Sequence, residues 1–463
     1  MGLVPAPALA VIGDPVPLPA GATTTAAPDF GRPPFDAWLD AGAYWPRRGP
    51  EKRALAAGVL RRGDGVRVLG CLPRCDHPRA MAAVEGGAVV PLRLLRPLPR
   101  PPEIARQVDD DALLRGRVIA WRAAVYDAPR TSAKRLRKER LGYLVAFVVD
   151  PAAPEGWLRR WQGGWMRARD VKLLQGSDFT GQDAPELPMA FTLHTIRAAE
   201  VDGGETAADR DALLARRRKT RKGSEERAAI DTALQAHRIE RQSAFGGVRL
   251  DRGRVRLADG RRLPRWKVRV AWPRVRPARI PADALWLHID LEEQTMVVYR
   301  GDRPLRATLV STGKPGTSTR PGLYRALSKV RIATMSGRVP EPYVAEAVPF
   351  VIHFYQGQAL HGAWWHDGFG TVRSHGCVNV PPADARWLFE LAHPPLPAGW
   401  RGVLLSHGDP RPHILIEAET PRAKRRLREP AEAPDDRRCV ERRTGSRLPD
   451  CPFDAFEGNA AEE

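Results

Sequence analysis

His361-Gly-Ala-Trp-Trp-His-Asp-Gly-Phe-Gly-Thr-Val-Arg-Ser-His-Gly-Cys-Val-Asn379 gathers three histidines, four glycines and one cysteine into nineteen residues, the composition of a thiol active site. A cysteine attacks as its thiolate, and an unperturbed thiol of pKa about 8.5 is only a few per cent ionised at neutral pH, so a nucleophilic cysteine needs a base or a positive field beside it. His361 and His375 are the candidates for that base. His375 lies two residues from Cys377, on the same face of an extended segment, whereas His361 reaches the sulfur only by a hairpin-like return of the chain. Gly376 leaves the backbone next to the sulfur uncovered, so a substrate carbonyl can approach and its developing oxyanion can meet main-chain N–H groups. Read as metal ligands, His361, His366, His375 and Cys377 stand at His-x4-His and His-x-Cys spacings with no second cysteine nearby, which does not match zinc patterns, and no metal is expected. A buried cysteine among core histidines would share this composition. A wider similarity separates the two readings.

Ser374-His-Gly-Cys-Val-Asn379, preceded by His361-Gly362 and followed by the helix start Asp384-Ala-Arg-Trp-Leu-Phe389, resembles the signature of the L,D-transpeptidase family of YkuD-type domains. The resemblance continues upstream through Trp286-Leu-His-Ile-Asp-Leu-Glu-Glu-Gln-Thr295, Tyr299, Val310-Ser-Thr-Gly313, Pro321-Gly322, Met335-Ser-Gly337, Tyr343 and Val348-Pro349, so it covers residues 284–407. It implies a mainly β fold: a β-sandwich-like catalytic domain with a short packing helix. It also implies Cys377 as nucleophile, His361 as general base, and Ser374, His375, Gly376 and Asn379 as the framework of the loop and oxyanion site. Tyr343, Gly362, Trp364, Trp365 and His366 are candidates to contact substrate, with core packing the ordinary alternative for the tryptophans. Two departures from the family pattern stand out. The gap from His361 to Ser374 is shorter than in some branches, which leaves both His361 and His375 open as the base. Arg320-Pro321-Gly322 stands where many members have Thr-Pro-x-Gly.

The activity implied by the resemblance is cross-linking of peptidoglycan without a cofactor. Cys377 would attack the third residue of a tetrapeptide stem, expel the terminal D-alanine, and pass the acyl group from a thioester to an amine of a second stem, giving a 3→3 link. Release of the same thioester by water would make an L,D-carboxypeptidase, and capture by a protein lysine would make an anchoring enzyme. From another class, the chain could be a wall-binding protein with an idle catalytic domain.

The 463 residues leave room for roughly two to four domains. A formal charge of +20 and a pI of about 10.4 suit a polyanionic partner, cell wall or nucleic acid alike. Of five cysteines, Cys71 with Cys75 and Cys439 with Cys451 are close in sequence, the pattern expected if two disulfides form in an oxidising compartment and Cys377 stays free, while five reduced cysteines fit the same spacing. No apolar run reaches the length of a membrane span. The run Leu3 to Ile12 is broken by Pro5 and Pro7 and lacks a basic flank, a poor match to a signal peptide for the periplasmic, cell-envelope location the family implies.

Residues 1–43, rich in Pro, Ala, Gly and Thr, read as a flexible leader. Residues 44–99 alternate apolar and polar in short runs with turns between, as in a small β-barrel. Residues 110–178 end on Gly163-Gly-Trp-Met-Arg-Ala-Arg-Asp-Val-Lys-Leu-Leu174, which echoes Gly86-Gly-Ala-Val-Val-Pro-Leu-Arg-Leu-Leu95. Both segments resemble bacterial SH3-like modules, which implies wall binding. Trp157, Trp161 and Trp165 recur at helical spacing, but Gly163-Gly164 argues for strand and turn. Residues 179–283 form a connecting region with a basic helical stretch, Ala215-Arg-Arg-Arg-Lys-Thr-Arg-Lys222, followed by Ala229-Ile-Asp-Thr-Ala-Leu-Gln-Ala-His-Arg-Ile-Glu240, in which Ile230, Ala233, Leu234 and His237 share one helical face. No aromatics are interleaved with these charges, so nucleic acid is not the expected partner. Within 284–407 an antiparallel meander runs from Leu285 to Ser311, and Pro381-Pro382 starts a helix after the cysteine. Residues 408–463 read as a flexible, charged tail.

Overall fold

The computed structural model describes residues 21–51, 54–98, 113–337, 342–406 and 408–418. Cys439 and Cys451, residues 1–20 of the leader and most of the tail lie outside them. The chain divides into two compact units, residues 1–107 with 396–404, and residues 108–395 with 405–463. The described residues are mainly β, with three α-helices: α1 (Ala207–Lys219), α2 (Glu225–Gln235) and α3 (Pro382–Leu391). None is long and apolar enough to cross a membrane.

In the first unit, Phe35–Leu39 pairs antiparallel with Gly65–Leu72 on one side and Leu95–Pro97 on the other, and Met81–Val84 and Ala88–Pro91 complete the sheet. Cys71 and Cys75 form a disulfide at the end of Gly65–Leu72. A short 3-10 turn, Leu92–Leu94, joins the last two strands, and the Leu95 N–H returns to the Leu92 carbonyl.

The second unit repeats this order of strands. Leu113–Val118 pairs antiparallel with Leu144–Val148 and with Val171–Leu173, and the 3-10 turn Ala168–Asp170 joins Trp165–Arg167 to the closing strand. Trp157–Arg160 and Trp165–Arg167 are the strands of a hairpin, so the three spaced tryptophans belong to strand and turn. The arrangement occurs again further along, where Met189–Thr192 pairs antiparallel with Ala244–Phe245 and Val268–Ala271, and the 3-10 turn Arg265–Lys267 follows Arg262–Pro264. This third copy has its own core of Ala190, Ile196, Val201, Ile239, Val248, Val255, Leu263 and Val270. The helices α1 and α2 are inserted between its first two strands. Of the apolar face read from the sequence only Ile230 is buried in α2, and Ala233 is exposed.

The region that carries His361 and Cys377 is built from two sheets. One runs Gln182–Asp183, Arg303–Leu309, Thr295–Arg300, Leu285–Asp290, His413–Glu417, Gly322–Arg325, and contains the expected meander. Trp286, Val297, Tyr299, Leu309 and Leu415 from this sheet pack with Ala363 and Phe369 in one core. The other is built on Tyr343–Tyr355, which pairs antiparallel with Ser328–Gly337 and turns at Gln356-Gly357 into Gln358–Gly362. Both turn residues have positive φ, 27° and 75°, the sense that matches the twist of a hairpin. Gln358–Gly362 pairs in parallel with Val378–Val380, and α3 follows.

Leu144–Val148 also pairs in parallel with Tyr343–Tyr355, at Leu144 and Ala345. Next to that contact the fully buried Arg160 is bonded to Glu346 and, at 3.2 Å, to Glu139, while Glu346 also accepts the Ala146 N–H at 3.0 Å. Burial raises the Glu346 carboxyl above its ordinary pKa, against the opposing pull of Arg160. Removing one member of such a buried pair strands the other's charge. Glu346→Ala is therefore expected to cost about 3–5 kcal/mol, read from the urea midpoint.

Candidate active site

The hairpin at Gln356-Gly357 makes the return of the chain that brings His361 to the cysteine segment. In the parallel pair Gln358–Gly362 with Val378–Val380, His361 lies opposite Asn379 and Leu360 opposite Val378. Cys377 immediately precedes that strand. Its sulfur lies 3.8 Å from the Gly357 carbonyl oxygen and receives the Ala359 N–H, two residues before His361. The thiol is the free cysteine among the described residues and is half-buried. Burial pushes its pKa up to about 11.

His361 is 1 % exposed, and burial pushes its pKa down to about 4. Its Nδ1 lies 3.4 Å from the Gly362 carbonyl oxygen, which only an Nδ1–H can satisfy, so Nε2 is the basic nitrogen. Trp365 stands 5.6 Å from its ring. His366 joins the same cluster: its Nδ1 accepts the Gly368 N–H at 3.2 Å, and its Nε2 lies 2.8 Å from the Asn379 side-chain amide. With Nδ1 accepting, Nε2 carries the proton and the amide oxygen of Asn379 is the atom that suits it. His375 takes a different position. It is exposed, and its ring stacks on Tyr343 at 4.4 Å and 15°. Tyr343 is half-buried close enough to Cys377 for a thiolate there to raise the tyrosine's pKa, adding to the larger effect of burial.

The loop that carries the sulfur is held from both sides. Ser374 Oγ accepts the Gly376 N–H at 3.1 Å and donates to the Cys377 carbonyl. Thr319 Oγ1 donates to the Gly376 carbonyl at 2.9 Å and accepts the Gly313 N–H at 2.9 Å. Ser311 and Asn379 exchange main-chain hydrogen bonds at 2.9 and 2.8 Å. Gly376 has φ of +118°, and a Cβ there would meet the Gln358 amide at 3.2 Å, so both conformation and space favour glycine. The Gly376 N–H is thus committed to Ser374.

The structure sorts the expected substrate contacts. Tyr343, Trp365 and His366 are partly exposed around the thiol. Trp364 is 3 % exposed, with the Arg115 guanidinium 5.9 Å above its ring, and belongs to the interior. Gly362 is buried as well: a Cβ there would press on Pro349 at 2.9 Å, so it serves packing and holds His361 through its carbonyl.

Two groups of supporting residues escaped the sequence reading. Asp384, in the first turn of α3, is fully buried and accepts hydrogen bonds from Arg306 Nε at 2.7 Å, Thr180 Oγ1 and the Gly181 N–H at 3.0 Å, and Thr308 Oγ1. It fixes the helix that begins two residues after the Val378–Val380 strand. Asp367, beside His366, accepts from Ser177, Arg241 and, at 2.9 Å, Gln242, and these bonds hold its carboxyl below the usual carboxylate range. An acid in a helix's first turn was the signal for Asp384, but it points to the helix and not to Arg306.

Residues 284–404 match the family model described as the YkuD L,D-transpeptidase catalytic domain. L,D-transpeptidase 1 of Mycobacterium tuberculosis (strain ATCC 25618 / H37Rv) is 33 % identical over 118 residues, a match covering 23 % of this chain and 47 % of that protein. The chain therefore spans about half the length of the curated relatives it matches. Among solved structures, the NMR structure of the catalytic domain from Enterococcus faecium L,D-transpeptidase is 24 % identical and covers 29 % of this chain and 98 % of that one, with a TM-score of 0.24. The crystal structure of an L,D-transpeptidase from Stackebrandtia nassauensis is 24 % identical over 31 % of this chain and 60 % of that one, with a TM-score of 0.22.

Proposed function

We propose that the L,D-transpeptidase catalytic domain carried by residues 284–404 acts as a cysteine acyltransferase on peptidoglycan stem peptides, in the cell envelope. The observation that supports it most is the placement of the Cys377 sulfur against the strand that carries His361, with the imidazole's Nε2 left basic.

A thiol with a pKa near 11 and an imidazole with a pKa near 4 form a neutral pair at rest, not an ion pair. The proton then moves as the sulfur attacks, so His361 acts as a general base within the bond-forming step. Sγ bonds to the carbonyl carbon of the third stem residue, and its proton passes to His361 Nε2. Collapse of the tetrahedral adduct breaks the C–N bond to the terminal D-alanine, whose amine takes that proton. The Cys377 N–H is the main-chain donor suited to the oxyanion, since the Gly376 N–H is held by Ser374. An amine of a second stem then attacks the thioester, His361 accepts its proton, and the thiol is restored as the 3→3 amide forms. Asn379 and His366 hold one side of the cleft, and Tyr343 with His375 offers the other as a surface for the stem. The upstream β units supply wall binding in this reading.

Incubating the protein and its Cys377→Ala variant with disaccharide tetrapeptide, followed by intact-protein and product mass spectrometry, tests this. The expected result is an adduct lacking D-alanine on the wild type alone, with cross-linked dimer accumulating. Free tripeptide without dimer means that water is the acceptor. No adduct from folded wild type sinks the proposal.

A further inference from the structure

We infer that the tip of the second β unit, made by Ile119, Trp121 and Leu141, docks on the surface of an anionic lipid bilayer. Trp121 is 77 % exposed, and Ile119 and Leu141 are each 50 % exposed, although all three are large apolar side chains. They stand together. The Gly142 N–H donates to the Val118 carbonyl at 2.9 Å and the Leu141 N–H to the Trp121 carbonyl at 3.4 Å, so the two turns form one projection.

Cations surround it. Arg122 faces Arg140 directly across the antiparallel pair Arg122–Tyr126 with Arg135–Arg140, a like-charge pairing that costs stability unless an anion lies over it. Arg117, Lys138 and Arg169 are exposed on the adjoining segments, and the last adjoins Asp170, whose carbonyl accepts the Ile119 N–H at 2.9 Å. None of these five has an ion-pair partner among the described residues. The acids close by point inward: Glu139 is engaged by Arg137 and Arg160, and Asp170 by Arg167.

An apolar tip ringed by cations matches the two layers of an anionic bilayer surface. Tryptophan is suited to the headgroup level, aliphatic side chains enter the acyl boundary, and basic residues meet the charged headgroups. A soluble polyanion would satisfy the arginines and leave Ile119, Trp121 and Leu141 in water. An acidic protein groove is the other possible occupant, and the test separates it.

The full-length protein is sedimented with phosphatidylcholine vesicles with and without phosphatidylglycerol. Binding is expected only where phosphatidylglycerol is present. Trp121→Ser and Leu141→Ser should each weaken it by about tenfold with unchanged thermal unfolding, and Arg140→Glu, which places an acid opposite Arg122, by at least about tenfold with no loss of thermal stability. Brominated lipid should quench part of the wild-type tryptophan fluorescence and none of it in Trp121→Phe. Wild-type binding by Trp121→Ser, full competition by soluble polyglutamate, or no binding to anionic vesicles overturns the inference.

Discussion

His361→Gln is expected to slow formation of the Cys377 acyl adduct by about 10²–10⁴-fold, the usual contribution of a positioned general base. His375→Gln should slow it less than tenfold. The asymmetry follows from placement. His361 is buried beside Asn379 and keeps one nitrogen basic, while His375 is exposed and stacked on Tyr343. Because the thiol's pKa is raised to about 11, alkylation by iodoacetamide should rise with pH well past 9 in the wild type and in both variants. Rapid alkylation of the wild type near pH 6 that vanished in His361→Gln would instead point to a resting ion pair. Single-turnover adduct formation followed by mass spectrometry reads the first comparison, and a pH series of thiol labelling reads the second.

Acid should destabilise the second unit through its buried histidines. His353 and His361 are 2 % and 1 % exposed, and burial pushes the pKa of each down to about 4. An unfolded chain takes up their protons as the pH falls through about 6.5, whereas the folded chain resists until about 4. The stability they contribute is therefore fully present above 6.5 and is lost progressively between 6.5 and 4, by about 2 kcal/mol per histidine at pH 5. In His353→Gln, which loses the Ser328 hydroxyl's bond to the ring, the protein is weaker at pH 7 but falls less steeply toward pH 5. Urea midpoints of both proteins at pH 7 and pH 5 measure the difference of differences. Parallel losses would show that carboxylates, not these imidazoles, dominate the acid response.

What the sequence revealed and what it hid divide along the range of the interaction. The meander from Leu285, the helix after Pro382, the Cys71–Cys75 bond and the histidine–cysteine cluster rest on local alternation, proline placement and short spacing. The third β unit was hidden because α1 and α2 separate Met189–Thr192 from Ala244–Phe245, so a basic helical stretch stands in the sequence between two strands that pair. Arg160 with Glu346, and Arg306 with Asp384, are charged residues in a charged sequence. Nothing in their neighbourhood marks them as buried rather than solvated. The spacing left open where His361 and His375 lie relative to the sulfur, and the hairpin register sets their positions apart.

Residues 396–404 belong to the first unit although they follow the catalytic strands in sequence. Within that unit Gly402–Leu404 pairs with Gly58–Arg61, and Arg401 binds the buried Asp64 at 3.0 Å. The polypeptide thus leaves the catalytic unit, contributes a strand elsewhere, and comes back for His413–Glu417, the strand beside Leu285–Asp290. The two units are fastened by three covalent crossings instead of one linker. Neither can be excised as a single continuous piece: a fragment begun at residue 108 would carry Gly402–Leu404 without its mate, an open strand edge of the kind that recruits other chains.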